Sequence, residues 1–242
     1  MTVPSITIHQ FPPFLGMQPS PFGLKLETWL RMKDLPYELE ASFTKTGPKD
    51  KIPFATIGGE TIGDSEIIIE KISQGLDSGR RPVITDAAEA RSVLIRRMIE
   101  EHLYFVFMHS RWVDEAGWIV FRPMVFGHLP GLVRFIVARK FRKIVIRNLK
   151  TQGISRHSDT EIYAKGAADI AALSAMLGNQ PYFSGTEPDL VDACAYGMLA
   201  NIFYAPLKSP LLEALNRFPN LMAYCDRLRA EFWPNSPRGG GE

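Results

Sequence analysis

The apolar pattern of this chain changes period once, and that change limits its fold more than any single motif. Up to Leu76, short β-rich runs alternate with amphipathic stretches, and beyond Pro82 the strand signals stop and helical spacing takes over. The pattern predicts a small mixed sheet with helices on it, at 1–78, followed by an all-helical unit at 86–242. The punctuated segment Ser78-Gly79-Arg80-Arg81-Pro82 reads as the linker between them. With 242 residues the chain is long enough to bury a core in each.

In the first unit, Ser5 to Phe11 and Tyr37 to Phe43 read as strands. Between them lies a helix from Pro21 to Leu35, with Pro21 in its first turn and Ser20 as N-cap. Its spacing sends Leu26, Trp29 and Leu30 inward and leaves Lys25, Arg31 and Lys33 for solvent. Lys45 to Lys51 reads as loop. Phe54 to Ile57 and Thr61 to Ile62 form a hairpin around Gly58-Gly59-Glu60, and Asp64-Ser65 opens an apolar helix through Ile67, Ile68, Ile72 and Leu76.

In the second unit, Asp86 to Glu89 and Ser158 to Glu161 are capping boxes, starting helices that run to about Trp112 and Leu177. A third helix begins near Asp189, with Asp192 three residues on, and a fourth follows Pro219. Arg238 to Glu242 is expected to fray.

Composition removes several classes of function. A formal net charge of +2 excludes strong global steering toward nucleic acid. The two cysteines, Cys194 and Cys225, are too few for a disulfide framework and lack metal-knuckle spacing, so no metal is expected and a reducing, cytoplasmic setting is. Prolines interrupt the N-terminal apolar stretch, which also has no basic start, so it does not read as a signal peptide. Ala193 to Leu207 is the longest uncharged run elsewhere, short of the ~20 residues of a membrane span. Between Gly117 and Ser158 there is no Asp or Glu but there are nine Lys and Arg, a basic helical insertion at about 118–157. It reads as a solvated cationic face, or as a contact for an acidic partner or a peripheral membrane surface.

Three short motifs carry possible chemistry. Ser20-Pro21-Phe22 places a hydroxyl at a helix N-terminus, where the dipole favours an anion such as a thiolate. Ile52-Pro53-Phe54 brings a proline into a strand, which suits an edge or a strand start, and a cis bond there would expose the Ile52 backbone to a peptide-like ligand. Asp64-Ser65 opens a second helix facing the same side. Its Ser hydroxyl and N–H suit a carboxylate and its Asp an ammonium, the two ends of an α-amino acid head group. Each motif alone is also an ordinary cap or turn.

In this order, and followed by a helical half, the motifs resemble the glutathione transferase superfamily: an α/β thioredoxin-like domain plus an all-α domain. The segments Ser20 to Met32, Lys51 to Phe54, Gln152 to Ser158 and Ser184 to Asp192 are similar to its failed-axon-connections, metaxin-like branch. The resemblance implies that Pro53 is a cis-proline and that Ile52 pairs through its backbone with the cysteinyl part of glutathione. It further implies that Asp64 and Ser65 hold the γ-glutamyl end, that Lys51 or a neighbouring loop lysine meets the glycine carboxylate, and that Ser20 stabilises the thiolate. An apolar electrophile would bind between the first loop and the long helix, with Phe11, Phe14, Met108, Arg111 and Trp112 as candidates, Arg111 the least core-like. A homodimer is implied as well. Where redox relatives carry a cysteine this chain has Ser20, which cannot form a mixed disulfide. Transfer of glutathione to an electrophile is thus the expected activity. The alternatives are a non-catalytic adaptor on the same fold and glutathione-dependent peroxide reduction. His102, His109 and His157 read as structural, and both cysteines as buried thiols without a basic neighbour.

Overall fold

A computed structural model describes residues 5–76 and 84–235. The expected linker around Ser78 to Pro82 and the C-terminal tail lie outside the described residues.

The first unit is a four-stranded mixed sheet in the order β2-β1-β3-β4. Strand β1 (Ile6–Gln10) pairs in parallel with β2 (Glu38–Ala41) and antiparallel with β3 (Phe54–Ile57), which pairs antiparallel with β4 (Glu60–Gly63). The parallel pair needs a crossover, supplied by helix α1 (Pro21–Met32). Gly58 and Gly59 both take positive φ, the condition for closing a hairpin in two residues. Helix α2 (Ser65–Leu76) returns across the sheet and buries Ile68, Ile69 and Ile72 with Ile8, Leu26, Leu30 and Ala55, while Ile67 stays exposed.

Helix α1 stops at Met32, short of Leu35. Asp34 turns left-handed at φ 50°, and the Leu35 N–H bonds back to the Leu30 carbonyl at 2.9 Å, a left-handed C-terminal cap. Of the three residues expected in solvent, Arg31 and Lys33 are exposed, but Lys25 is not. Gly23 to Leu30 are all buried, because α1 lies between the sheet and the helical half, and Lys25 is 1% exposed rather than solvated.

The second unit contains α3 (Ala87–Met98), α4 (Tyr104–Trp112), α5 (Glu115–Phe126), α6 (Gly131–Gln152), α7 (Asp159–Leu177), α8 (Leu190–Phe203), α9 (Pro210–Leu215) and α10 (Pro219–Phe232). The helix expected from Asp86 to Trp112 is interrupted by a π-helical turn, Ile99–Leu103. Its capping box is half formed: Asp86 accepts from the Glu89 N–H, but the Glu89 carboxylate bonds Thr85 rather than Asp86. The box at Ser158 and Glu161 is complete, and at the start of α8 the Asp192 carboxylate accepts from the Asp189 N–H. Helix α9, capped by Ser209, has no counterpart in the sequence reading.

Helix α8 is the spine of this half, buried from Val191 to Ile202. Burial pushes the Asp192 carboxyl above its usual range, although Phe183, Asp189 and Ser184 N–H groups and the Ser184 hydroxyl all donate to it. Against α8 lies α1, so close that a Cβ on Gly197 would sit 2.5 Å from the Pro21 carbonyl oxygen. This α1–α8 contact is one of several that join the two units, the Glu66–Arg96 ion pair and the Arg31 bond to the Phe232 carbonyl among them.

Candidate functional site

Above the sheet, where α1, the loop before β3, the start of α2 and the α3–α4 helix meet, two cavities adjoin. One is polar, of about 380 Å³, and the other apolar, of about 260 Å³. Phe22, Ile52 and Tyr104 line both.

The polar cavity brings together Lys51, Ile52, Pro53, Asp64 and Ser65, all of the residues expected to hold the tripeptide. The Ile52–Pro53 bond is cis, and Pro53 stands just before β3, where no ladder donor is lost. Asp64 precedes α2 in a left-handed conformation, φ 88°, which turns its carboxylate back over the helix start. Its Oδ1 accepts from the Glu66 N–H at 3.1 Å, and its Oδ2 accepts from Lys51 Nζ at 2.5 Å. Burial raises its pKa, but Lys51 and the N–H groups of Glu66 and Ile67 outweigh that and hold the carboxyl below its ordinary value. Ser65 is buried at the mouth of the helix.

The far wall of this cavity is formed by Arg97, Glu100, Glu101 and Tyr104, which the sequence reading missed. They sit one turn apart or adjacent along the α3–α4 helix, and the only local hint of them is a cluster of charge inside an apolar pattern. Glu66 is paired with Arg96 at 2.6 Å and Arg97 at 3.4 Å. Glu100 accepts from the buried Lys25 Nζ at 2.6 Å. Burial pushes the Tyr104 hydroxyl up to about 12, so it is a neutral donor at pH 7.

The apolar cavity contains Ser20, Phe11, Phe14, Met108, Arg111 and Trp112, with Phe107, Phe121 and Val125 added. Ser20 caps α1: its Oγ accepts from the Gly23 N–H at 3.3 Å. An oxygen that accepts in this way still has its own proton to donate.

Arg111 corrects the expectation that it would be the least core-like of these residues, since it is 2% exposed. It donates to the Pro19 carbonyl at 3.0 Å and to the Asn201 backbone and side-chain oxygens at 2.9 and 3.2 Å, with its guanidinium 4.0 Å from the Phe107 ring. Burial pushes it down to about 9, still cationic at neutral pH. Asn201 in turn donates to the Gln18 carbonyl, and Gln18 accepts from the Ser20 N–H. Arg111 therefore fixes the loop that presents Ser20.

The remaining candidates are structural. His102 is paired with Asp169 at 2.5 Å, and His109 is buried between Ser155 and Asp159. Cys194 departs from the expectation of no basic neighbour, because its Sγ lies 3.6 Å from Glu100 beside Lys25. Both are buried free thiols, and burial pushes both well up, which disfavours the reactive thiolate.

Comparison with known proteins gives two matching family models, the glutathione S-transferase N-terminal domain over residues 21–117 and the glutathione S-transferase C-terminal domain over residues 166–228. The chain is 31% identical to Failed axon connections of Drosophila melanogaster, over 89% of its own length and 55% of that protein's, so it spans little more than half of that relative. It is 27% identical to isoprene-epoxide–glutathione S-transferase of Rhodococcus sp. (strain AD45), over 94% of this chain and 99% of that one. Metaxin-2 of Mus musculus is 25% identical over 90% of this chain and 84% of its own. Among solved structures, the beta-etherase LigF of Sphingobium sp. strain SYK-6 superposes with a TM-score of 0.62 at 16% identity, covering 93% of this chain and 95% of that one.

Proposed function

The chain belongs to the glutathione S-transferase family, with Failed axon connections and the metaxins among its relatives, and from that premise we propose that it binds glutathione in the polar cavity and transfers it to an apolar electrophile held in the adjoining one. The observation that carries this reading is the shared wall of the two cavities. Ile52 borders both, and Ser20 lines the apolar one with it.

The donor set fits the tripeptide. Asp64 offers a carboxylate to the ligand's ammonium in place of Lys51, and the Ser65 hydroxyl and N–H at the α2 start suit its α-carboxylate. Lys51, released from Asp64, is then free for a second carboxylate. Glutathione supplies a thiol that becomes a nucleophile on losing its proton, and free thiols hold that proton up to about 8.5. Ser20 donates a hydrogen bond where the anion forms, with the α1 N-terminus behind it. Phe14, Met108 and Trp112 keep that point apolar and dry. The similarity to an isoprene-epoxide transferase suggests an epoxide as the first electrophile to try.

Calorimetric titration with reduced glutathione tests the binding half. Ser65→Ala is expected to weaken it about tenfold, the weight of one hydrogen bond to a charged group. Ser20→Ala is expected to keep binding and lower turnover of an epoxide by at least about tenfold. Unchanged turnover removes Ser20 from the mechanism. Absence of binding at millimolar glutathione favours a second reading, a non-catalytic binding module, which is supported by the complete helix-capping role of Ser20 and the similarity to Failed axon connections.

A further inference from the structure

On the side of the helical half formed by α5 and α6 lies a third cavity, of about 850 Å³, the largest of the three. Its lining mixes Trp118 and Phe135 with Arg122, Arg134, Arg139 and Lys143. None of these four cations has a carboxylate partner among the described residues. Helix α6 itself carries seven basic residues and no acidic one. Only Ala138 and Leu149 of its 22 residues are buried, so most of the helix faces outward.

That outward face is not simply a solvated cationic one. Leu132 is 75% exposed and Ile136 57%, with Phe135 beside them at 58%. Leu132, Ile136, Lys140, Lys143 and Arg147 follow each other at spacings of three and four and so share one face of the helix. Its N-terminal end is apolar and its C-terminal end cationic. Solvent alone explains the lysines but leaves four large apolar side chains, Val133 with these three, in water within little more than one turn.

We infer that α6 docks the protein peripherally on an anionic phospholipid surface, with Leu132, Phe135 and Ile136 in the acyl boundary and the cations of α6 and the α5–α6 cleft on the lipid phosphates. Charge complementarity selects this occupant. A second copy of the same face would set cations against cations, whereas an anionic bilayer offers hydrocarbon and negative charge in one surface. No helix among the described residues is long and apolar enough to cross a membrane, so the contact is a surface one.

Vesicle flotation tests it, using the full chain with phosphatidylcholine vesicles and with vesicles carrying about 30 mol % phosphatidylserine. The protein is expected to float with the anionic vesicles at about 0.1 M salt and to be released near 1 M, where the Debye length falls from about 10 Å to about 3 Å. Each cation at such a surface is worth about fivefold in partition, so Lys140→Gln/Lys143→Gln lowers it about 25-fold. Leu132→Ser/Ile136→Ser, which leaves the cations in place, is also expected to lower it at about 0.1 M salt. All four side chains are exposed, and far-UV circular dichroism confirms that the variants fold. Absence of flotation at low salt overturns the proposal, as does equal flotation with neutral vesicles. A face that ignores vesicles and instead forms an ultracentrifuge dimer that Ile136→Asp splits overturns it as well.

Discussion

Lys25 of α1 and Glu100 of the π-helical turn form a buried ion pair, with Nζ 2.6 Å from Oε1 and both side chains under a tenth exposed. One belongs to the sheet unit and the other to the helical one, so a charge pair ties the two together beneath the polar cavity. Removing one partner strands the other charge out of water, a loss of about 3–5 kcal/mol, while replacing both by apolar groups is close to neutral. Lys25→Met is therefore expected to lower the unfolding free energy by about that much, and Lys25→Met/Glu100→Leu to recover most of it. Urea unfolding measures both. A double variant no more stable than Lys25→Met would show that packing, not charge, sets the loss.

The same pair shows where sequence reading stops. The caps at Ser20 and Asp64-Ser65 and the proline at Pro53 are legible because caps and prolines act on their own backbone, within three residues of themselves. Their grouping with Ile52 into one site follows from the family resemblance and not from local pattern. The two-unit fold was legible because strand and helix periods differ. Periodicity sends Lys25 to solvent because it assumes one buried face, whereas α1 is covered on both sides, by the sheet and by α8. Arg97, Glu100 and Tyr104 come to the cavity from the long helix, a tertiary crossing that no local pattern encodes. Arg111 is buried for a related reason: its charge is satisfied by the Pro19 and Asn201 oxygens, about ninety residues away on either side, which no local pattern reveals.

Gly197→Ala tests how closely the two units are joined. On helix propensity alone alanine would stabilise α8 by about 1 kcal/mol. Its Cβ, however, would meet the Pro21 carbonyl oxygen at 2.5 Å and the Lys25 nitrogen at 3.1 Å, backbone atoms that cannot turn aside. Overpacking of this kind costs about 1–3 kcal/mol, and the contact wins. Thermal unfolding is expected to show a lower midpoint for the variant; a higher one would mean that α1 and α8 can separate without loss.

Glu27 gives a pH dependence whose sign is fixed. Burial raises its pKa, and hydrogen bonds from Gln10 and Tyr37 with the nearby Arg31 charge only partly offset this. The folded state then holds a proton that the unfolded chain has released, so this residue's contribution is most favourable below the unfolded value of about 4.3 and declines as pH rises through the folded one. Glu27→Gln removes the decline. Its amide keeps an acceptor for Tyr37, and its NH₂ can meet the Gln10 Oε1, which has no partner. Urea midpoints of the two proteins are expected to be similar near pH 4 and to favour the variant at pH 7, the other carboxylates cancelling in the difference. A constant difference would mean that Glu27 is ionised throughout.

Asp64 has the opposite shift and therefore the opposite expectation. Burial pushes its pKa up, yet the Lys51 ammonium and two α2 N–H groups bring it below the ordinary carboxylate value. Its ionised form is thus favoured by the fold above the unfolded value of about 3.9, and that contribution is lost only as pH falls through the lower folded one. Recognition of a ligand ammonium by Asp64 should accordingly be as strong at pH 5 as at pH 7. Asp64→Asn removes a charged partner worth about 1.5–3 kcal/mol, a weakening of glutathione binding of roughly ten- to a hundredfold. Titration calorimetry at the two pH values is expected to return the same ratio of dissociation constants. A ratio that collapses toward one at pH 5 would mean that Asp64 has already taken up a proton there, and that its pairing with Lys51 does not hold the site in the form that binds.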